Sequence, residues 1–281
     1  MSPPDPTDPI AARDHAVARL QCPVCAGMLV PDLDSAGDPF APILCLDCER
    51  SYGWSHGVLD LVPTDQRPPA RQRNHALTGP PVPFYRFFEQ SLSTQAYADT
   101  DAEDQLYHLL DWLDYRPGEP VLLLGCGEGE AMRLLGEACG DSLLVAMDDD
   151  LKELVAARSA QVRAGLPGVF VRCDLDRPPL RPGTFSAVMH FGVLHSLPDA
   201  QLHLKRLSEG LPPGTRLVGV CLARSTLEHV ARSQKALEGQ SGFRFVPMDD
   251  LARTLVRGGW ARFRHEQPSN WMARFQARKP G

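Results

Sequence analysis

At 281 residues, 43% hydrophobic and 23% charged, with a formal net charge of -6, the chain has the balance of a globular protein, long for one domain and short for two large ones. No apolar run approaches the roughly 18 residues of a membrane helix, and the start, Met1 to Pro9, has neither a basic nor an apolar leader segment, so a cytoplasmic protein is expected. The acidic balance argues against a surface that embraces nucleic acid over its whole extent. Four of the eight cysteines fall in two C-x-x-C pairs, which in a cytosolic chain point to metal and not to disulfides.

Residues 1–19 read as a flexible, proline-rich N-terminus turning into a short helix from Ile10 to Leu20. Cys22-Pro-Val-Cys25, nineteen intervening residues and Cys45-Leu-Asp-Cys48 follow. Each pair makes a tight knuckle that aims two thiolates at one point, and two knuckles close a tetrahedral Zn2+ site, with iron the competing metal. Four thiolates leave no open coordination position, so Cys22, Cys25, Cys45 and Cys48 are expected to hold a structural zinc in a ribbon module spanning 20–63. Met28 to Val30 and Ile43-Leu44 supply its strands, and Tyr52 and Trp54 a small apolar patch. Between Gln21 and Val62 the only cation is Arg50, against Asp32, Asp34, Asp38, Asp47, Glu49 and Asp60, a poor surface for phosphates.

Pro, Arg, Gln and Asn dominate 64–83, the composition of an extended linker, and the domain proper is expected over 84–281. Phe84-Tyr85-Arg86-Phe87-Phe88, with Tyr97, is too aromatic for a linker and reads as a flap or a docking helix. Thr100-Asp-Ala-Glu103 is a capping box opening a helix with Leu106, Leu109, Leu110 and Leu113 on one face.

The stretch that organises the chain is Val121-Leu-Leu-Leu-Gly-Cys-Gly-Glu-Gly-Glu130, a buried strand entering a glycine turn and then a helix, where an α/β sheet places its ligand. Gly125, Gly127 and Gly129 are spaced G-x-G-x-G, and Glu130 stands where a dinucleotide fingerprint needs its third glycine. Glu128 and Glu130 at the helix start repel a pyrophosphate and tolerate a cation. S-adenosylmethionine, with a sulfonium, an ammonium and one carboxylate, suits this loop better than NAD. Leu143 to Met147 is the next strand. Asp148, with Asp149 beside it, lies nineteen residues beyond Gly129, where nucleoside-binding sheets put a carboxylate for the ribose hydroxyls. Val169 to Arg172 leads to Cys173-Asp174-Leu175, where a carboxylate can meet an adenine amino group. Phe185 to Phe191 is followed by Gly192-Val-Leu-His-Ser-Leu-Pro-Asp199.

Together, Gly125-Cys126-Gly127-Glu128-Gly129, Asp148, Asp174 and the run from Phe191 to Asp199 resemble the class I S-adenosylmethionine-dependent methyltransferases of the type 11 kind. The resemblance covers about residues 84 to 279. It implies an α/β fold: a Rossmann-like, seven-stranded, mostly parallel sheet with its last strand antiparallel and helices on both faces, beside the small zinc ribbon. It assigns Gly125 to Gly129 to the methionine and ribose, Asp148 to the ribose, Asp174 and Leu175 to the adenine, and Phe191, Gly192 and the residues up to His195 to the floor near the methyl group. Most members place an acid two positions before the first loop glycine; this chain has Leu123. The ribbon is similar to the small zinc modules that accompany or activate methyltransferases, and to the N-terminal zinc module of ribosomal RNA guanine methyltransferases, without that family's stretch after the last ligand.

Toward the C-terminus, Leu202 to Leu211 is a helix and Arg216 to Cys221 a strand. Ser225-Thr-Leu-Glu228 is a second capping box, opening a helix with Leu227, Val230, Ala231 and Leu237 on one face. Asp249 to Arg257 and a hairpin from Trp260 to Gln276 close the chain, with six arginines from Arg253 to Arg278. The expected function is methyl transfer to a small-molecule acceptor, with His195 the one candidate base. RNA as the acceptor, and a non-catalytic module that holds a partner protein through the ribbon, are the alternatives.

Overall fold

The structure, a computed structural model, describes residues 8–35, 37–65, 102–241 and 244–281. Most of the expected 64–83 linker, the aromatic run Phe84 to Phe88 with Tyr97, and Thr100 and Asp101 of the first capping box lie outside the described residues, as do Gly242 and Phe243.

Asp8 accepts the Ile10 N–H at 2.9 Å and caps α1 (Pro9–Val17), which has a proline in its first turn, where a missing N–H costs nothing. The cysteine stretch builds β1 (Leu29–Pro31), β2 (Ile43–Cys45) and β3 (Ser51–Tyr52), an antiparallel sheet in the order β1-β2-β3. The hairpin of β4 (Trp54–Ser55) and β5 (Val58–Asp60) then leaves that ribbon for the main sheet.

After α2 (Ala102–Leu113) come β6 (Val121–Leu124), α3 (Glu130–Ala138), β7 (Leu144–Asp148), α4 (Leu151–Arg163), β8 (Val169–Arg172), β9 (Ala187–Phe191), α5 (Ala200–Gly210) and β10 (Arg216–Leu222), strand and helix alternating except between β8 and β9. The chain closes with α6 (Glu228–Ser241), α7 (Met248–Arg257), β11 (Ala261–Glu266) and β12 (Met272–Arg278). The large sheet runs β11-β12-β10-β9-β6-β7-β8-β5-β4. Its first seven are the expected methyltransferase-type sheet, with β12 antiparallel to β10; β5 and β4 add two more from the N-terminal stretch, β5 lying parallel to β8.

All four residues of β6 are buried, which explains why its sequence shows no alternation. Leu122 and Leu124 join the layer of α1, α5 and α7; Val121 and Leu123 join that of α2, α3 and α4. The first layer also takes in Leu29, Ile43 and Tyr52, so the ribbon's apolar residues belong to the domain's own core. Arg216, nearly buried, pairs with Glu119 and donates Nε to Leu113 O at 2.8 Å, locking the end of α2 to β10.

The helix after β10 keeps part of its expected face, with Val230, Ala231 and Leu237 half-buried, and departs from it at Leu227. It starts at Glu228, Leu227 is 46% exposed, and Gln234 is fully buried. The Gln234 amide accepts from Ser225 N–H at 2.9 Å and donates to Ala223 O and Asn270 O at 2.9 Å each, so α6 docks by polar satisfaction of loop backbone beside the apolar contact of Leu237 with the Phe245 cluster.

Candidate functional site

The glycine loop begins bonded to its neighbour: Gly125 N–H donates to Met147 O at 2.8 Å. Gly125 has φ +80°, and a Cβ there would stand 2.3 Å from Phe191 O and 2.4 Å from Val193 Cγ2, so only glycine lets the ends of β6 and β9 come this close. Gly129 caps α3 without a side chain. Cys126 is buried, Gly127 half-buried and Glu128 exposed at the loop's tip.

Asp148 ends β7 and is 2% exposed. One carboxylate oxygen accepts Gly127 N–H at 3.2 Å; the other accepts Asp149 N–H at 2.7 Å and Asp150 N–H at 3.2 Å. The glycine loop and the next turn are thus drawn onto one acid, and Asp150 separately caps α4. Asp149 is buried. Asp174, half-buried, accepts Asp176 N–H at 3.1 Å. The Leu175 side chain is fully buried in the core beneath. Phe191 and Gly192 follow β9, and His195 accepts Leu222 N–H on Nδ1 at 3.4 Å while its carbonyl accepts Arg244 N–H at 2.8 Å.

Gly125 to Gly129, Asp148, Asp149, Asp174, Leu175, Phe191 and Gly192 therefore line the carboxyl ends of four adjacent parallel strands, β8, β7, β6 and β9, with His195 at the end of that row. Adjacent outward strand connections at this edge form the crevice where open α/β sheets bind ligands. Leu123 is 1% exposed and packs in the apolar layer, so no acid stands at that position. Glu153 of α4 supplies one nearby, its Oε2 3.4 Å from where a Cβ on Gly127 would lie. The edge is acidic. Burial, followed by the charges of Asp174, Asp149, Asp148 and Asp60, raises the Cys173 thiol well above its ordinary range.

Two pairings in this region went unread in the sequence. Arg172, at the end of β8, donates Nη1 to Asp60 Oδ2 at 2.9 Å and Nε to Asp149 O at 3.3 Å. Asp60 comes from the ribbon stretch, 112 residues away in sequence, and no local spacing signals that pairing. Behind the site His190 and His203, both fully buried, face each other with Nε2 atoms 3.0 Å apart. Burial pulls His203 down to about 4, opposed by the nearby Leu175 and Asp176 backbone carbonyls.

Cys22, Cys25, Cys45 and Cys48 come together, their sulfurs all within 4.8 Å of one another; Cys22 and Cys48 are 3.7 Å apart, and Cys25 and Cys45 are 3.5 Å apart. Sulfurs on a tetrahedral zinc at about 2.3 Å from the metal lie about 3.8 Å apart, so the donor set fits Zn2+ in both type and span. Burial works against ionising Cys22, but hydrogen bonds from the Tyr52 hydroxyl and the backbone outweigh it and bring the thiol down to about 6.

The C-terminal arginines largely have partners: Arg253 with Asp250, Arg274 with Glu266 and Arg278 with Asp114, while Arg264 lies 3.9 Å over the Trp112 ring. Among the described residues no helix is long and apolar enough to cross a membrane.

Residues 122–219 match the family model described as a methyltransferase domain. Among solved structures, phosphoethanolamine N-methyltransferase 2 of Haemonchus contortus, in complex with phosphomonomethylethanolamine and S-adenosylhomocysteine, aligns with a TM-score of 0.55 at 14% identity over 63% of this chain and 53% of that one. Geranyl diphosphate C-methyltransferase of Streptomyces coelicolor A3(2), with Mg2+, geranyl diphosphate and S-adenosyl-L-homocysteine, aligns with a TM-score of 0.54 at 12% identity over 63% of this chain and 79% of that one. At these identities the likeness is one of fold. An uncharacterized 37.1 kDa protein of transposon Tn4556 from Streptomyces fradiae is 35% identical over 111 residues; the match spans 39% of this chain and about a third, 32%, of that protein. The family match marks residues 122–219 as similar to a methyltransferase domain, and the solved structures share the fold.

Proposed function

We propose that this chain transfers a methyl group from S-adenosylmethionine to a small-molecule acceptor. One observation carries the cofactor reading: the glycine loop and the Asp148 carboxylate form a single hydrogen-bonded unit, through Gly127 N–H, at the crevice edge of a methyltransferase-type sheet. The missing Cβ of Gly125 lets the ends of β6 and β9 meet beneath the loop, and the acidic edge suits a cation. In this reading Gly125 to Gly129 hold the methionine part and Asp148 the ribose hydroxyls. Asp149 and Asp174 flank the adenosine, while Leu175 contacts the ligand through its backbone.

When bound, the cofactor supplies an already activated methyl on sulfonium, so the chain's task is alignment of donor and acceptor in line. Phe191 and Gly192 form the floor. His195 is held at its place by Leu222 N–H, and with Nδ1 accepting, a neutral ring carries its proton on Nε2. It therefore fits a group that orients the acceptor better than a base that deprotonates it. The pairing of three C-terminal arginines with carboxylates favours a small acceptor over RNA. Zn2+ on Cys22, Cys25, Cys45 and Cys48 is structural in this reading, since its four thiolates leave no position for substrate.

Calorimetric titration of the zinc-loaded protein with S-adenosylmethionine, beside Asp148→Ala, tests the proposal. Micromolar binding that weakens at least tenfold in the variant supports it. Silence in both proteins overturns it and, with Leu123 in place of the usual acid, favours a partner-binding module.

A further inference from the structure

The β4–β5 hairpin is held from both ends. On the ribbon side, Asp60 N–H donates to Gly53 O at 3.0 Å, and the neighbouring Tyr52 hydroxyl meets Cys22 Sγ of the metal cluster at 3.1 Å. On the sheet side, Leu61 N–H donates to Arg172 O at 2.9 Å, and Asp60 lies opposite Arg172 in parallel register. The Asp60 carboxylate is committed on both oxygens, to Arg172 Nη1 at 2.9 Å and to Val62 N–H at 3.0 Å.

Arg172 is a cation at the crevice edge: it lies opposite Asp148 of β7 in parallel register and donates Nε to the Asp149 carbonyl at 3.3 Å. Left unpaired, a guanidinium there turns to a neighbouring carboxylate, and Asp148, its register partner on β7, is the acid assigned to the ribose. Asp60 prevents this. It draws the guanidinium outward, and in that pose Nε holds the Asp149 carbonyl at 3.3 Å, in the turn that also donates to Asp148.

We propose that Asp60 and Arg172 are positioning residues for the adenosine half of the cofactor: the metal-held ribbon keeps Arg172 off Asp148 and so sets the cofactor affinity of the neighbouring sheet edge. This rests on the cofactor reading given above. The contact links two parts of the chain that look independent in sequence, and it makes the ribbon's hairpin part of the ligand site's frame.

The test is calorimetric titration of the zinc-loaded protein with S-adenosylhomocysteine and, separately, with 5′-methylthioadenosine, which lacks the amino acid end. Asp60→Asn keeps the Val62 hydrogen bond and removes the charge; it is expected to weaken both ligands by the same factor, about five- to tenfold. Asp60→Glu is expected to restore most of the loss. In Asp60→Asn/Arg172→Met the competing cation is gone, so the double variant binds no worse than Arg172→Met alone. Thermal unfolding of each variant checks that the fold is kept, and Asp60→Ser, whose hydroxyl can still accept the Val62 N–H and which also removes the charge, carries the same expected loss should Asp60→Asn unfold. Unchanged affinity in Asp60→Asn, a loss confined to S-adenosylhomocysteine, or factors that multiply in the double variant would each overturn the proposal. If the parent protein binds neither ligand, the cofactor reading itself fails, a result distinct from all of these.

Discussion

Gly125 and Gly214 share almost the same backbone conformation, φ +80° and +81°, and differ in what surrounds them. A Cβ on Gly214, in the exposed turn before β10 at the far end of the sheet, meets nothing within 4 Å, whereas one on Gly125 stands 2.3 Å from Phe191 O. Alanine at either position takes the left-handed penalty of about 1–2 kcal/mol. At Gly125 a second cost is added, because the obstacle is a backbone carbonyl that cannot rotate away and has to retreat by about 1 Å; overpacking of this kind costs about 1–3 kcal/mol. Urea denaturation should therefore give about 1–2 kcal/mol for Gly214→Ala and about 2–5 kcal/mol for Gly125→Ala. The movement parts the ends of β6 and β9, the two walls of the crevice. S-adenosylhomocysteine affinity should accordingly fall more than tenfold in Gly125→Ala and stay unchanged in Gly214→Ala. Equal destabilisation of the two variants, with unaltered ligand affinity, would refute the claim that this glycine is there for close approach.

Chelation of the metal should lower the unfolding temperature of the whole chain in one transition, because the ribbon's apolar residues lie in the domain's core; a main transition that stays put in scanning calorimetry would contradict this. The buried His203 is a base whose pKa is lowered on folding, from 6.5 to about 4, so its neutral form is favoured in the native state and the unfolded chain protonates first as pH falls. Native stability on this account is complete above pH 6.5 and declines between pH 6.5 and 4, by about 3 kcal/mol; urea melts should show that excess acid loss in the parent and not in His203→Asn. Arg216→Met strands the largely buried Glu119 carboxylate and should cost about 3–5 kcal/mol in equilibrium denaturation, recovered in part by adding Glu119→Gln.

The parts of the site legible in the sequence are those whose chemistry is local. The β6 run, the G-x-G-x-G turn and Asp148 lie within one βαβ unit, where strand length and glycine spacing are fixed by geometry. The two C-x-x-C knuckles are equally local, and the structure gathers their four sulfurs. The burial of Gln234 in α6 was not legible because it rests on hydrogen bonds to Ala223 and Asn270, and a periodicity of apolar residues has no way to register a buried amide. Glu153 near Gly127 and the pairing of His190 with His203 depend on how helices settle against the sheet, which no spacing in the chain encodes.

The hairpin is the instructive case, since Val58-Leu-Asp60 looks in sequence like the last strand of a small ribbon. It is a strand of the main sheet because β8 needs it. Without β5, β8 would be the edge of a parallel sheet, its outward N–H and C=O groups unpaired beside the crevice. A parallel neighbour cannot come from a tight hairpin with β8, since parallel strands need a long crossover, and the long stretch between Asp60 and β8 provides it. Beyond β5 lies β4, two residues long, too short to offer another strand a template. The ribbon thus closes the edge that the ligand-binding end of β8 would otherwise leave open, and the carboxylate that arrives with it falls opposite Arg172, the cation of that edge.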